Sequence, residues 1–156
     1  VCTSDTCPKM QATDQYSYRC AAHGEPADCN AMNYATHTID DFTKVFQTKK
    51  FFPSRYGSNI PEQAMQQYTS CARRVYRIFA HAYHHHQMEF EEFENEYCLC
   101  SRFMTFVHMY NLIPKAHLKA EAQIPAEVLL PLPSRKEWID KVGDKVSDAK
   151  SKNTGA

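Results

Sequence analysis

Glycine is scarce in this 156-residue chain, with only four, and none is clustered. No Gly-rich phosphate loop can therefore be built, which excludes P-loop and dinucleotide-fingerprint chemistry. Charge of one sign is also missing. Eighteen Lys and Arg balance eighteen Asp and Glu. No overall field then draws the chain to nucleic acid or to a membrane surface, and such binding needs a local patch. Long apolar runs are absent. Val128-Leu129-Leu130, between Glu127 and Pro133, lies in the longest stretch and cannot span a bilayer. There is no H-E-x-x-H pair for a catalytic zinc, and no signal peptide or internal repeat is visible in these residues. The chain opens on Val1 rather than Met, almost on a cysteine. That start is expected if further sequence precedes it.

What remains supports a folded domain. Apolar residues make up 43% of the chain, enough for a core, and the length suits one domain. There are seven cysteines. An odd count argues against a complete disulfide framework, and histidines near paired cysteines favour metal in a reducing compartment.

Residues 1–37 read as loop, with strand-like alternation at Tyr16–Cys20 and a turn at His23-Gly24-Glu25-Pro26. Thr38 before Ile39-Asp40-Asp41 predicts a capped helix that buries Phe42, Val45 and Phe46 and stops near Lys50. Phe51-Phe52-Pro53-Ser54-Arg55 follows as a loop with aromatic anchors. Pro61-Glu62 opens the strongest helix, where Met65, Tyr68, Ala72, Val75, Tyr76, Phe79 and Tyr83 recur at helical steps. A second helix is expected from Glu89 to Tyr110, acidic in its first turns and ended by Pro114. Residues 115–133 read as a short helix or loop, and 134–156 as a weakly structured tail.

Two groups of residues carry chemistry. Cys2 and Cys7 form C-x4-C, and His81, His84, His85 and His86 crowd one helix end. Thiolates and imidazoles of this kind suit a tetrahedral zinc ion. On a straight helix, His81 and His85 share a face, whereas His81 and His86 lie about 140° apart and converge only if the helix ends or bends. Both pairings stay open on geometry. His23, His37, His108 and His117 read as isolated surface or core-edge residues. Four protein ligands leave no open position, so the ion reads as structural rather than catalytic. The second group is Arg73, Arg74 and Arg77, which share one helical face just before the histidines. Three guanidinium groups there suit a phosphate dianion, and Lys49, Lys50 and Arg55 extend the patch. The aromatics do not interleave with these bases, which argues against RNA.

Together these stretches are similar to the Mob family of kinase-associated adaptors, in its phocein branch. The matching segments are VCTSDTCPKM, YSYRCAAH, NYATHTIDD, FFPSR, RRVYRIFAHAYHHH and FENEYCLCSRF, within residues 1–113. The resemblance implies a mainly α fold, a helical bundle with a small β-hairpin beside a structural zinc. It implies a Mob/phocein-like domain over 1–133, with 134–156 as its tail. It implies one zinc ion on Cys2, Cys7, His81 and His86, with the helix breaking just after Tyr83. It places a phosphothreonine-peptide pocket on Arg73, Arg74 and Arg77.

The expected role is a non-enzymatic cytoplasmic adaptor, at membranes only through its partners. Those partners are a striatin-like scaffold, a germinal-centre-type kinase and an associated protein phosphatase. Three other readings compete: a scaffold subunit without phosphate recognition, a zinc-dependent hydrolase, and an extracellular disulfide domain.

Overall fold

In the computed structural model, residues 1–53, 59–119 and 121–129 are described. The expected tail at 134–156 lies outside them, as does Arg55 of the extended basic patch. The architecture is mainly α, with a two-stranded sheet. Strands β1 (Gln11–Thr13) and β2 (Tyr16–Ser17) pair antiparallel, with Gln11 opposite Ser17 and Thr13 opposite Tyr16. The expected strand at Tyr16–Cys20 is thus only partly realised. Its far end forms an isolated bridge instead, Cys20 to Ala27, across the turn at His23–Pro26.

Helix α1 (Ala31–Gln47) starts two turns before the expected Thr38. Its cap is Asn30, whose side chain accepts from the Asn33 N–H at 2.7 Å. Thr38 is buried within the helix. Ala31, Tyr34 and Thr38 supply the core-facing stripe, at the i, i+3, i+7 spacing of one face. The polar residues among them hide that stripe from a hydrophobicity pattern. Past it, Phe46 stacks on Tyr68 at 5.5 Å between centroids and meets Phe52 edge-on at 5.1 Å. The aromatic loop is therefore anchored, although Phe52 remains 41% exposed.

The central element is α2 (Glu62–His85). It packs on α1, on β1 and on α3 (Gln87–Tyr97). Ala64, Tyr68, Cys71, Ala72, Tyr76, Ala80 and His81 are its buried residues. Three of them are alanines at eight-residue intervals, small enough to admit neighbouring elements closely. The Tyr76 hydroxyl pins the chain after α5 (Lys115–Lys119), donating to the Ala122 carbonyl at 3.3 Å and accepting from the Ile124 N–H at 3.1 Å.

The helix expected over Glu89–Tyr110 is two helices. α3 is followed by α4 (Leu99–Met109), and Cys98 between them is left-handed at φ 48°. The buried Glu94 carboxylate explains the break. It accepts from the Cys100 and Ser101 N–H groups at 2.8 and 3.0 Å, and from the Ser101 hydroxyl. An anion thus caps the amino-terminus of α4, where the helix dipole and unpaired N–H groups favour one.

Candidate metal centre and basic cavity

Helix α2 ends at His85, one residue before His86. The His86 N–H still reaches the Ala82 carbonyl at 2.8 Å, but His86 has left helical geometry at φ −139°, ψ 52°. α3 begins at the next residue. The break therefore falls at His86, later than the expected position after Tyr83. It swings the His86 ring beside that of His81, with centroids 5.2 Å apart. His85 stays helical, stacks on the outer side of His81 at 4.9 Å, and is exposed.

The opposing thiols sit on a turn closed by two threonines. Each donates its backbone N–H to the other's hydroxyl, at 2.9 and 3.1 Å, and the Cys7 N–H reaches the Thr3 carbonyl at 3.0 Å. Cys2 Sγ then lies 3.7 Å from His81 Nε2, and Cys7 Sγ 3.2 Å from His86 Nε2. All four ligand atoms fall within 4.8 Å of one another. A tetrahedral ion with metal–sulfur bonds near 2.3 Å and metal–nitrogen bonds near 2.05 Å has sulfur–nitrogen edges of about 3.5 Å. The four residues could hold such an ion.

The surroundings prepare the donors. His81 Nδ1 lies 2.6 Å from the Gln11 carbonyl. A carbonyl only accepts, so Nδ1 carries the proton and Nε2 turns its lone pair towards Cys2. Burial also pushes the His81 pKa below the usual imidazole value, which keeps the ring neutral. Burial and the adjacent Cys7 push the Cys2 thiol up to about 11. The Cys2 thiol therefore resists ionisation unless a cation compensates.

The arginine face lies earlier on α2. Arg73 and Arg77 both bond Glu121, which is 3% exposed. Arg77 grips it bidentately, Nε to Oε2 at 3.1 Å and Nη2 to Oε1 at 2.9 Å, while its guanidinium lies over the Tyr18 ring at 4.7 Å. Burial works against the Arg77 charge, but the hydrogen bonds to Glu121 and Tyr34 raise its pKa on balance. Arg74 pairs with Asp41 at 2.9 Å. All three arginines line one cavity of roughly 550 Å³, together with Arg19, Ser70 and His117. The Nε–H groups of Arg73 and Arg74 find no acceptor among the described residues.

Sequence reasoning overlooked Glu121, Asp41 and Arg19. No local pattern marks them, because they reach the arginines from other elements. A separate apolar groove of roughly 590 Å³ opens between α1, α2 and α4, lined by Ile39, Phe46, Phe52 and Phe106 among others. No helix among the described residues is long and apolar enough to cross a membrane.

The chain is 48% identical over 117 residues to the MOB-like protein phocein of Caenorhabditis elegans, and 47% identical over 117 residues to MOB kinase activator-like 4 of Drosophila melanogaster. Each match covers 75% of this chain and 52% of the relative. MOB kinase activator-like 1A of Arabidopsis thaliana is 28% identical over 136 residues, covering 83% of this chain and 63% of the relative. The chain thus spans about half the length of the first two relatives. The Mob1/phocein family profile matches residues 1–121, which takes in both cysteines of the turn, the arginine face and the histidine pair, and the chain belongs to the Mob1/phocein family.

Proposed function

We propose that this protein is a non-enzymatic, zinc-stabilised adaptor subunit of a striatin-type phosphatase–kinase signalling complex. One structural zinc would be held by Cys2, Cys7, His81 and His86, in a Mob/phocein-like domain over 1–133. The donor chemistry supports zinc, because two sulfurs and two imidazoles with no oxygen ligand suit it better than magnesium or calcium. Four protein donors would leave no site for an activated water, which argues against the hydrolase reading. Relatives named as kinase activators support a kinase partner. The striatin-like scaffold, the germinal-centre-type kinase, the phosphatase and the cytoplasmic location belong to the same reading.

A basic pocket on Arg73, Arg74 and Arg77 would take a phosphothreonine peptide. The carrying observation is the shared cavity these three line. A phosphate dianion would meet charge-assisted hydrogen bonds there, with Glu121 as its internal competitor. Changing all three arginines to Ala should cut phosphopeptide affinity at least tenfold by calorimetry. The unphosphorylated peptide should bind poorly to both proteins. Equal affinity in the triple variant would remove the pocket assignment.

The second reading is a scaffold subunit without phosphate recognition. It is favoured by the internal pairing of all three arginines, and by the apolar groove as an alternative contact surface. Glu121→Gln separates the two. It should raise phosphopeptide affinity if the pocket is functional and leave partner binding unchanged if the arginines only hold the fold.

A further inference from the structure

Outside the Cys2/Cys7/His81/His86 group, a second set of soft donors converges. Cys20, His23, Cys29 and His37 bring one ligand atom each to within 4.8 Å of all the others. Cys20 Sγ lies 3.4 Å from His37 Nδ1, His23 Nε2 lies 3.0 Å from Cys29 Sγ, and Cys29 Sγ lies 3.9 Å from His37 Nδ1. These distances scatter around the tetrahedral sulfur–nitrogen edge of about 3.5 Å, as do those of the first group. The rings of His23 and His37 stand edge to face, 5.1 Å apart at 83°. Cys20 and Cys29 are free thiols, not a disulfide.

We infer that these four residues form a second, structural metal site for a borderline-soft divalent ion, zinc by its donor set. Two sulfurs and two nitrogens without an oxygen donor disfavour magnesium and calcium. The local chain also needs such a clip. Residues 21–26 are all exposed, so the loop between Cys20 and Ala27 has almost no apolar cover. Its backbone is held by one bridge, with Cys20 N–H to Ala27 carbonyl at 2.8 Å and the reverse bond at 3.0 Å. An ion would tie this loop to the second turn of α1 through His37.

The clip has a place in the wider design. The Met10 N–H reaches the Cys29 carbonyl at 2.9 Å, and the Ala31 N–H reaches the Cys7 carbonyl at 3.0 Å. Backbone bonds thus couple the loop to the turn that carries Cys7. On its other side, Arg19 and Ala21 line the basic cavity. The second ion would set one wall of that cavity as well as the start of α1. His23 is exposed, whereas Cys7 and His81 of the first group are buried, so the second ion should exchange faster.

The test is metal stoichiometry on the whole protein, purified under a thiol-free reductant after growth with added zinc. Two zinc ions per chain are expected. His23→Ala, an exposed change, should lower the count to one while leaving the helical circular-dichroism spectrum intact. Cys29→Ala should do the same. His86→Ala should also lower the count to one, and the ion it keeps should be lost on adding His23→Ala. Cobalt(II) substitution checks the geometry, since His23→Ala should halve the tetrahedral cobalt absorption per chain. A zinc count that is one in the unaltered protein, and that neither His23→Ala nor Cys29→Ala lowers, would overturn the second site, as would a count of two unchanged by both. A single zinc lost in His23→Ala but kept in His86→Ala would instead overturn the first site and leave this one standing.

Discussion

Among five glutamates between positions 89 and 96, one has a role that the others lack. Glu91 is exposed and accepts a bond from Gln87 one turn earlier at 2.7 Å. Glu94 is 3% exposed and takes up two orphan N–H groups of α4. Glu94→Ala should therefore cost about 2–4 kcal/mol, because it leaves buried donors unpaired and deletes a cap. Glu91→Ala should stay within about 0.5 kcal/mol. Urea denaturation of both variants checks the contrast, and similar costs would contradict the capping role. In sequence the two residues look alike, both members of an acidic run. Only the left-handed turn at Cys98 brings the α4 amino-terminus back onto Glu94. The same limit hid His23 and His37. Each looked isolated because its partners come from a loop and a helix face with no shared spacing.

Element ends decide much of this fold. α4 stops at Met109, before the proline expected to end it. The Leu112 N–H bonds the Val107 carbonyl at 2.9 Å, and the Asn111 N–H bonds the His108 carbonyl at 3.2 Å. This is a Schellman closure, with Asn111 left-handed at φ 48° and Leu112 buried behind it. Asn111→Gly should be neutral or stabilising by up to about 1 kcal/mol, since glycine meets no penalty at positive φ. Asn111→Val should destabilise by about 1–2 kcal/mol, because a β-branched side chain is strained there. Thermal midpoints of the two variants should move in opposite directions or differ clearly; a matched pair would exclude strain at this position. Helix existence was legible from periodicity, most clearly in α2. Helix ends were less so, because Asn30, Cys98 and Asn111 act through short-range geometry that a hydrophobic pattern does not record.

Over the whole molecule, the metal-type groups join parts of the chain that lie far apart in sequence. Cys2 and Cys7 belong to a turn with almost no core of its own, and His81 and His86 belong to the end of the central helix. Structural metal binding contributes directly to folding free energy. Chelation under reducing conditions should lower the thermal midpoint by about 10 °C or more, as a loss of several kcal/mol would in a domain of this size. His86→Ala should reproduce much of that loss, and His85→Ala should not. A midpoint insensitive to chelator, or an equal effect of His85→Ala, would contradict the proposed ligand set.

The sequence by itself determined the helical class, the donor types and the arginine face, because composition and helical period are local properties. It also carried the resemblance to the family. Only the tertiary structure decided which donors meet. The helix had to end at His86 before two imidazoles lying about 140° apart on a wheel could converge. The bridge at Cys20 and Ala27 had to close before a second set of thiols and imidazoles could face one another. Glu121 had to return from a distant segment before the arginine face acquired its internal counter-charge. Each of these depends on long-range chain placement, which spacing along the sequence does not specify.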